Sequence, residues 1–199
     1  MAQLNYFLVA YFITYLVVAF VWPSLRTYRQ TGINPVTFGG TDTTHDLIGR
    51  WFKVLFALIL LTIVIYWWDG SAYRYLLPAE YLQYPPVQWV GVGLCILSLL
   101  WTVLAQHQMG RSWHIGIDKE HNAELKISGL FAVSRNPIFL GMIVTLVGFL
   151  LVLPNAITLV VLTLVYVLIQ VQIRLEEEFL LNQHDAAYQS YKIRVRRLV

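Results

Sequence analysis

Ser134-Arg135-Asn136-Pro137-Ile138-Phe139-Leu140-Gly141 opens, and Arg174-Leu175-Glu176-Glu177-Glu178 closes, a run of thirty-eight residues that contains no Asp, Glu, Lys or Arg. About twenty apolar residues carry one helix across a bilayer, so the run is long enough for two crossings. Pro154-Asn155 near its middle is a natural point of reversal. A hairpin folded there returns the Arg/Asn cluster and the acidic triplet to one membrane face. The two become neighbours at the mouth of one site despite their distance in sequence.

The rest of the chain has the same character. It has 199 residues, 58% of them hydrophobic and only 13% charged, with a mean hydropathy of +0.61. Soluble domains carry about 25% charged residues. Residues 2–25, 54–68 and 81–110 are also free of Asp, Glu, Lys and Arg. The expectation is an all-α integral membrane protein of about five transmembrane helices, near 4–22, 51–68, 86–107, 137–153 and 155–173. A C-terminal helical hairpin and a cytoplasmic amphipathic tail complete it. The first segment lacks a basic n-region and a small-residue cleavage site, and it is too long for a signal-peptide core, so it is read as a membrane helix.

Orientation follows from basic residues in short loops. Segment 23–53 carries Arg26, Arg29, Arg50 and Lys53, and segment 108–135 carries Arg111, Lys119, Lys126 and Arg135. The tail carries Arg174, Lys192, Arg194, Arg196 and Arg197, whereas segment 69–85 has Arg74 alone, beside Asp69 and Glu80. The N-terminus is therefore expected outside and the C-terminus in the cytosol. Trp67, Trp68, Tyr73, Tyr75, Tyr81 and Tyr84 gather around the outer loop, at the depth where amphipathic rings settle. A net charge of +3 and a pI near 9.0 raise nucleic acid as a partner. The basic residues flank membrane segments without an aromatic-basic repeat, which points to lipid headgroups and not to nucleic acid.

No repeat or linker separates domains. Residues 1–109 read as N-terminal membrane helices with a cytoplasmic loop at 23–50, and 110–199 as the region of hairpin 137–173 and tail, within one structural domain. The Gly/Pro/Thr-rich stretch 31–46 reads as a connector, with a lid as the alternative, ending at a helix start near Thr44 or Asp46. Tyr188, Tyr191, Val195 and Leu198 recur every three or four residues, the pattern of an amphipathic helix lying on the membrane surface. Cys95 is alone, which excludes a disulfide within the chain.

Acids at the end of a membrane helix oppose its dipole and the negative inner leaflet. Continuing the last crossing to about residue 182 holds Glu176, Glu177 and Glu178 just beyond the hydrocarbon, where Glu176 or Glu177 is placed to bind a cationic group. A solvated face with Glu178 paired to Arg174 is the plainer reading of the triplet. Pro137 suits the first turn of a helix and Asn136 the cap before it. His107, His114 and His121 recur every seven residues, too far apart on a helix for one metal ion, so interfacial histidines and no metal site are expected.

The ordered set Gly110 to Trp113, Leu125 to Phe131, Arg135 to Gly141 and Glu176-Glu177-x-x-Leu180, followed by Tyr188 and Tyr191, resembles the isoprenylcysteine carboxyl methyltransferase family in the broad sense that includes related phospholipid methyltransferases. The resemblance covers about residues 110–195. Asn136 stands where many members have His, Phe131 and Phe139 where they have Tyr, and His184-Asp185 where they have Phe-Gly.

The resemblance implies S-adenosyl-L-methionine as cofactor and a lipophilic or prenylated small substrate entering from the bilayer, with a carboxylate among the candidate acceptors. Cofactor-binding candidates are Trp113, Arg135, Asn136, Pro137, Phe139, Gly141, Glu176, Glu177 and Tyr188. Glu176 or Glu177 would take the ammonium or ribose hydroxyls, and Arg135 or Asn136 the carboxylate. The aromatic residues would cover the adenine or sulfonium. Catalytic candidates are Arg174 and Glu177, with Arg174 or Arg111 holding an acceptor carboxylate. Two other readings stand beside this one: a membrane NADPH-dependent reductase of the steroid or sterol reductase type, which is similar in its hairpin and tail, and a non-catalytic membrane scaffold or small transporter.

Overall fold

The computed structural model describes residues 2–36, 43–110, 113, 115 and 125–199. Among them the fold is all-helical: α1 (Ala2–Leu16), a π-helical segment (Val17–Val21), α2 (Trp22–Thr31), α3 (Thr44–Trp68), α4 (Gly70–Tyr73), α5 (Pro85–Met109), α6 (Pro137–Val152) and α7 (Ala156–Arg194). Short 3-10 turns at Arg74–Leu76, Glu80–Leu82 and Gly129–Ala132 complete the inventory. Leu4–Thr31, Thr44–Trp68, Pro85–Met109 and Ala156–Arg194 are long and apolar enough to cross a membrane. The remaining expected crossing, α6, is a shorter apolar helix. Arg111, His114, Lys119, His121 and residues 37–42 of the connector lie outside the described residues.

The helix of the first crossing does not stop near residue 22, where the crossing is expected to end. The helix widens to a π turn, in which the Trp22 N–H donates to Val17 O, and continues to Gly32. Proline is tolerated because it sits in the first turn of α2. The carbonyl a regular helix would pair with residue 23 is that of Ala19, and it accepts instead from Gln106 Nε2 of α5 at 2.7 Å. A side chain on one helix thus satisfies the backbone group that proline leaves orphaned on another.

The hairpin turns where expected. Asn155 caps α7 by accepting from Thr158 N at 3.0 Å, while Thr158 Oγ1 accepts from Asn155 N at 3.2 Å, a reciprocal capping box. The 70–84 loop is pinned to this turn, with Ala79 N donating to Pro154 O at 2.8 Å and Asn155 Nδ2 to Tyr73 Oη at 3.2 Å. At 1.5 Å per residue, α7 is about 58 Å long, close to twice a hydrocarbon core, so its second half projects beyond the membrane.

α7 runs past the expected end near 182, to Arg194, interrupted only at Asp185 with φ 38° and ψ −113°. Asp185 stands where the family pattern has glycine, and its backbone adopts a conformation that favours glycine. This turn folds the tail back on the protein: Tyr188 and Tyr191 are 2% and 3% exposed, and Tyr191 Oη donates to Phe131 O at 2.6 Å. The apolar stripe expected to lie on headgroups is therefore largely buried against the 131–136 segment, while Lys192, Arg194 and Arg196 stay exposed.

α5 and α6 make the closest helix pair in the bundle. A Cβ on Gly148 would lie 2.6 Å from Cys95 Sγ and 2.8 Å from Gly91 O, so only glycine lets the backbones approach. Tyr11 Oη bridges to Cys95 O at 2.8 Å and Ser98 Oγ lies 2.8 Å from Thr145 Oγ1, which satisfies these three hydroxyls within the seam. Gly148→Ala is expected to destabilise the protein by about 1–3 kcal/mol through overpacking, and Gly93→Ala, with open space around it, to leave thermal unfolding in detergent unchanged. Asp185→Gly is expected to raise stability by about 1 kcal/mol in the same measurement, because relief of backbone strain exceeds the added chain entropy.

Candidate functional site

The hairpin brings the Arg-Asn-Pro turn and the acidic triplet together through one carboxylate. Glu177 Oε1 accepts from Arg135 Nη2 at 2.5 Å and from Arg197 Nε at 3.1 Å, and its Oε2 accepts from Arg197 Nη2 at 2.6 Å. The Arg135 and Glu177 side chains are each 7% exposed. Arg135 also donates through Nη1 to the carbonyls of Lys192 (3.1 Å) and Val195, and through its backbone N–H to Arg196 O at 3.0 Å. The hydrogen bonds it donates to the Glu177 carboxylate raise the Arg197 pKa still further, so this guanidinium stays charged. α6, α7 and the C-terminal segment are joined at this point.

Above this cluster lies a cavity of about 460 Å³ at the end of the bundle that carries segments 23–53 and 108–135. Its walls come from the π segment (Ala19, Phe20), the start of α3 (Phe52, Lys53, Phe56), the end of α5 (Thr102, Gln106) and the start of α6. Trp101 Nε1 seats that last turn by donating to Pro137 O at 2.8 Å. Val36 and Ile115 close it from the two connecting loops, where Ile115 N donates to Pro35 O at 2.8 Å.

Of the residues singled out in the sequence, Trp113, Arg135, Asn136, Pro137, Phe139 and Glu176 line this cavity. Adjacent residues on a helix point about 100° apart, which is why Glu176 faces the cavity while Glu177 faces the arginines. The Glu176 carboxylate accepts from Gln172 Nε2 at 2.9 Å, and Gln172 Oε1 lies 3.3 Å from His45 Nδ1 of α3. Asn136 occupies the cap position of α6 but makes no capping bond; its Nδ2 donates to Arg197 O at 2.9 Å. Thr102 Oγ1 and Arg135 Nε are buried there without a hydrogen-bond partner among the described residues.

Other candidates lie elsewhere. Arg174 is exposed and donates to Gln170 O at 2.6 Å instead of pairing with Glu178. Gly141 packs against α5, where a methyl group would overlap the Thr102 hydroxyl. Tyr188 is buried beside Tyr191, with ring centroids 6.0 Å apart, outside the cavity. His107 lies 3.3 Å from Arg26 Nη1 at an exposed position, and among the described residues no three His, Cys, Asp or Glu gather as a metal site. Lys53, Gln172 and Arg197 were not singled out. The signal for Gln172 is a polar side chain inside an otherwise apolar helix, whereas Lys53 reads as an ordinary basic flank until α3 is placed beside α6.

Membrane-length helices around a ligand-sized cavity with polar groups at one corner define an all-α membrane protein with a cavity at one end of its bundle. The family model for phospholipid methyltransferase matches residues 87–187, just over half of the chain, from the first turn of α5 to the turn at Asp185. The chain belongs to this family and is a membrane methyltransferase. No curated protein and no solved structure matches it. Neither the reductase nor the scaffold or transporter reading receives support from these comparisons.

Because removing one member of a buried ion cluster leaves the others uncompensated, Glu177→Gln is expected to cost about 3–5 kcal/mol. The exposed Glu178→Gln is expected to change stability by no more than about 0.5 kcal/mol. Thermal unfolding of the two variants in detergent separates these outcomes.

Proposed function

We propose that the chain transfers a methyl group from S-adenosylmethionine to a lipophilic acceptor, with the cavity end of the bundle facing the cytosol. The observation that carries this reading is the split of the acidic pair, in which Glu177 is consumed by two arginines while Glu176 keeps its carboxylate toward the cavity. A volume of about 460 Å³ lies within the range of small-molecule sites. The lining has the donor set such a cofactor requires: a carboxylate for an ammonium, Lys53 for a carboxylate, and Trp113, Phe131 and Phe139 as faces for a purine or sulfonium. Bound there, the cofactor supplies an electrophilic methyl on sulfur, which departs as a neutral thioether when an acceptor lone pair takes the methyl.

What the protein contributes is positioning and exclusion of water. Glu176 anchors the amino-acid end, and the hydrogen bond from Gln172 fixes its rotamer. Phe20, Phe52 and Phe56 form the apolar side of the cavity and receive the lipophilic acceptor. The basic loops set the orientation and contact anionic headgroups at the cytosolic face.

Isothermal titration of the detergent-solubilised protein with S-adenosylhomocysteine is expected to show binding that Glu176→Gln weakens by about tenfold or more, with the melting temperature unchanged. NADPH is expected to give no heat. Folded protein that takes up NADPH and not S-adenosylhomocysteine overturns the proposal.

A further inference from the structure

The last residues of the described chain reach the cavity through Asn136. Arg135 N–H donates to Arg196 O, and Asn136 Nδ2 donates to Arg197 O at 2.9 Å, while the Arg197 side chain grips both oxygens of Glu177. Val195 O takes a further bond from the Arg135 guanidinium. The segment 195–197 thus runs alongside the start of α6 as a row of carbonyl acceptors, clamped to α7 by one side chain. Asparagine at a helix N-terminus ordinarily turns its Oδ1 back on the first backbone N–H groups. Here that cap is absent, because the amide nitrogen is drawn to the tail instead.

An amide tied down by its nitrogen offers its oxygen to whatever else it faces. Asn136 lines the cavity, and its Oδ1 receives no hydrogen bond among the described residues. The cavity corner therefore holds two acceptors, the Asn136 carbonyl and the Glu176 carboxylate. Of the neighbouring guanidinium donors, Arg135 Nη1 and Nη2 and Arg197 Nε and Nη2 are committed to Glu177 and to tail carbonyls, while Arg135 Nε has no partner among the described residues. Two oxygen acceptors side by side on the cavity lining suit a small cation that carries N–H groups.

We propose that segment 195–197, held by Arg197, is a positioning element that fixes Asn136 as an acceptor for the α-ammonium of the methyl donor, beside Glu176. This rests on the S-adenosylmethionine reading above and reverses the polarity expected for Asn136 from sequence, where it was to donate to the carboxylate. Arg197 touches no ligand and acts only through Glu177 and Asn136.

The experiment compares S-adenosylhomocysteine with its analogue lacking the α-amino group, by isothermal titration in detergent, for the wild-type chain, Arg197→Ala and Arg197→Lys. The wild type is expected to prefer S-adenosylhomocysteine by about tenfold or more, the effect of a hydrogen bond to a charged group. Arg197→Ala is expected to lose most of that preference while its affinity for the analogue stays within about twofold, and Arg197→Lys, which keeps a cation on Glu177, to restore part of it. A merely structural role would weaken both ligands alike, and that result, or an intact preference, overturns the positioning role alone. A wild type that binds neither ligand overturns the donor reading and this one with it. Should Arg197→Ala fail to fold, Asn136→Leu, which leaves the Glu177 cluster untouched, is expected to lose the same preference, and its retention overturns the proposal.

Discussion

The carboxylate of Glu177 is the point on which this end of the molecule depends. A charge enclosed by protein at the edge of a membrane is tolerated only when it is neutralised and its lone pairs are filled. Arg135 and Arg197 do both, and they come from opposite sides: the first turn leading into α6, and the chain beyond α7. Breaking either contact leaves a buried charge without compensation. Three segments distant in sequence are thus held in one arrangement by a single electrostatic requirement, and the floor of the cavity is a consequence of it.

Three identical residues in a row meet three different environments, because a helix rotates each by about 100° from the last. Glu177 turns inward to the arginines, Glu176 to the cavity and Glu178 to the exterior. Three consecutive carboxylates are electrostatically unfavourable through mutual repulsion. The tail's arginines and the paired Arg135 offset that cost for one of the three. The second faces the cavity, and the third faces water. A buried ion cluster and a cavity-lining carboxylate therefore sit on consecutive residues, which gives the cavity-lining one a rigid support one position away.

The hairpin, its turn at Pro154-Asn155 and the meeting of Arg135 with the triplet were legible in the sequence, since each rests on a long-range requirement: uncharged length, a reversal, and charges that must find partners. Asn136, Arg174 and the tail were less legible. The cap preference of asparagine is a local rule, and a tertiary acceptor at Arg197 O overrode it. Arg174 belongs by type to a carboxylate site, but its position on α7 turns it to the outside. The periodic tyrosines signalled an apolar face correctly but not what covers it, because burial against protein and burial against headgroups share one pattern. Which of Glu176 and Glu177 stays free depends on the helix phase relative to α6, a quantity fixed only once the two helices pack.

The cavity forms where the helices lose their regularity. α1 opens into a π turn beside Ala19, α5 ends at Met109, α6 begins at Pro137, and the loops carrying Val36 and Ile115 cross above. Backbone that departs from the helix is tolerated near a bilayer only where side chains or water take up its polar groups. Gln106 performs that role for Ala19, and the tail carbonyls perform the converse one for Arg135. The polar side chains that make such irregularity tolerable are thereby concentrated around the space the irregularity creates.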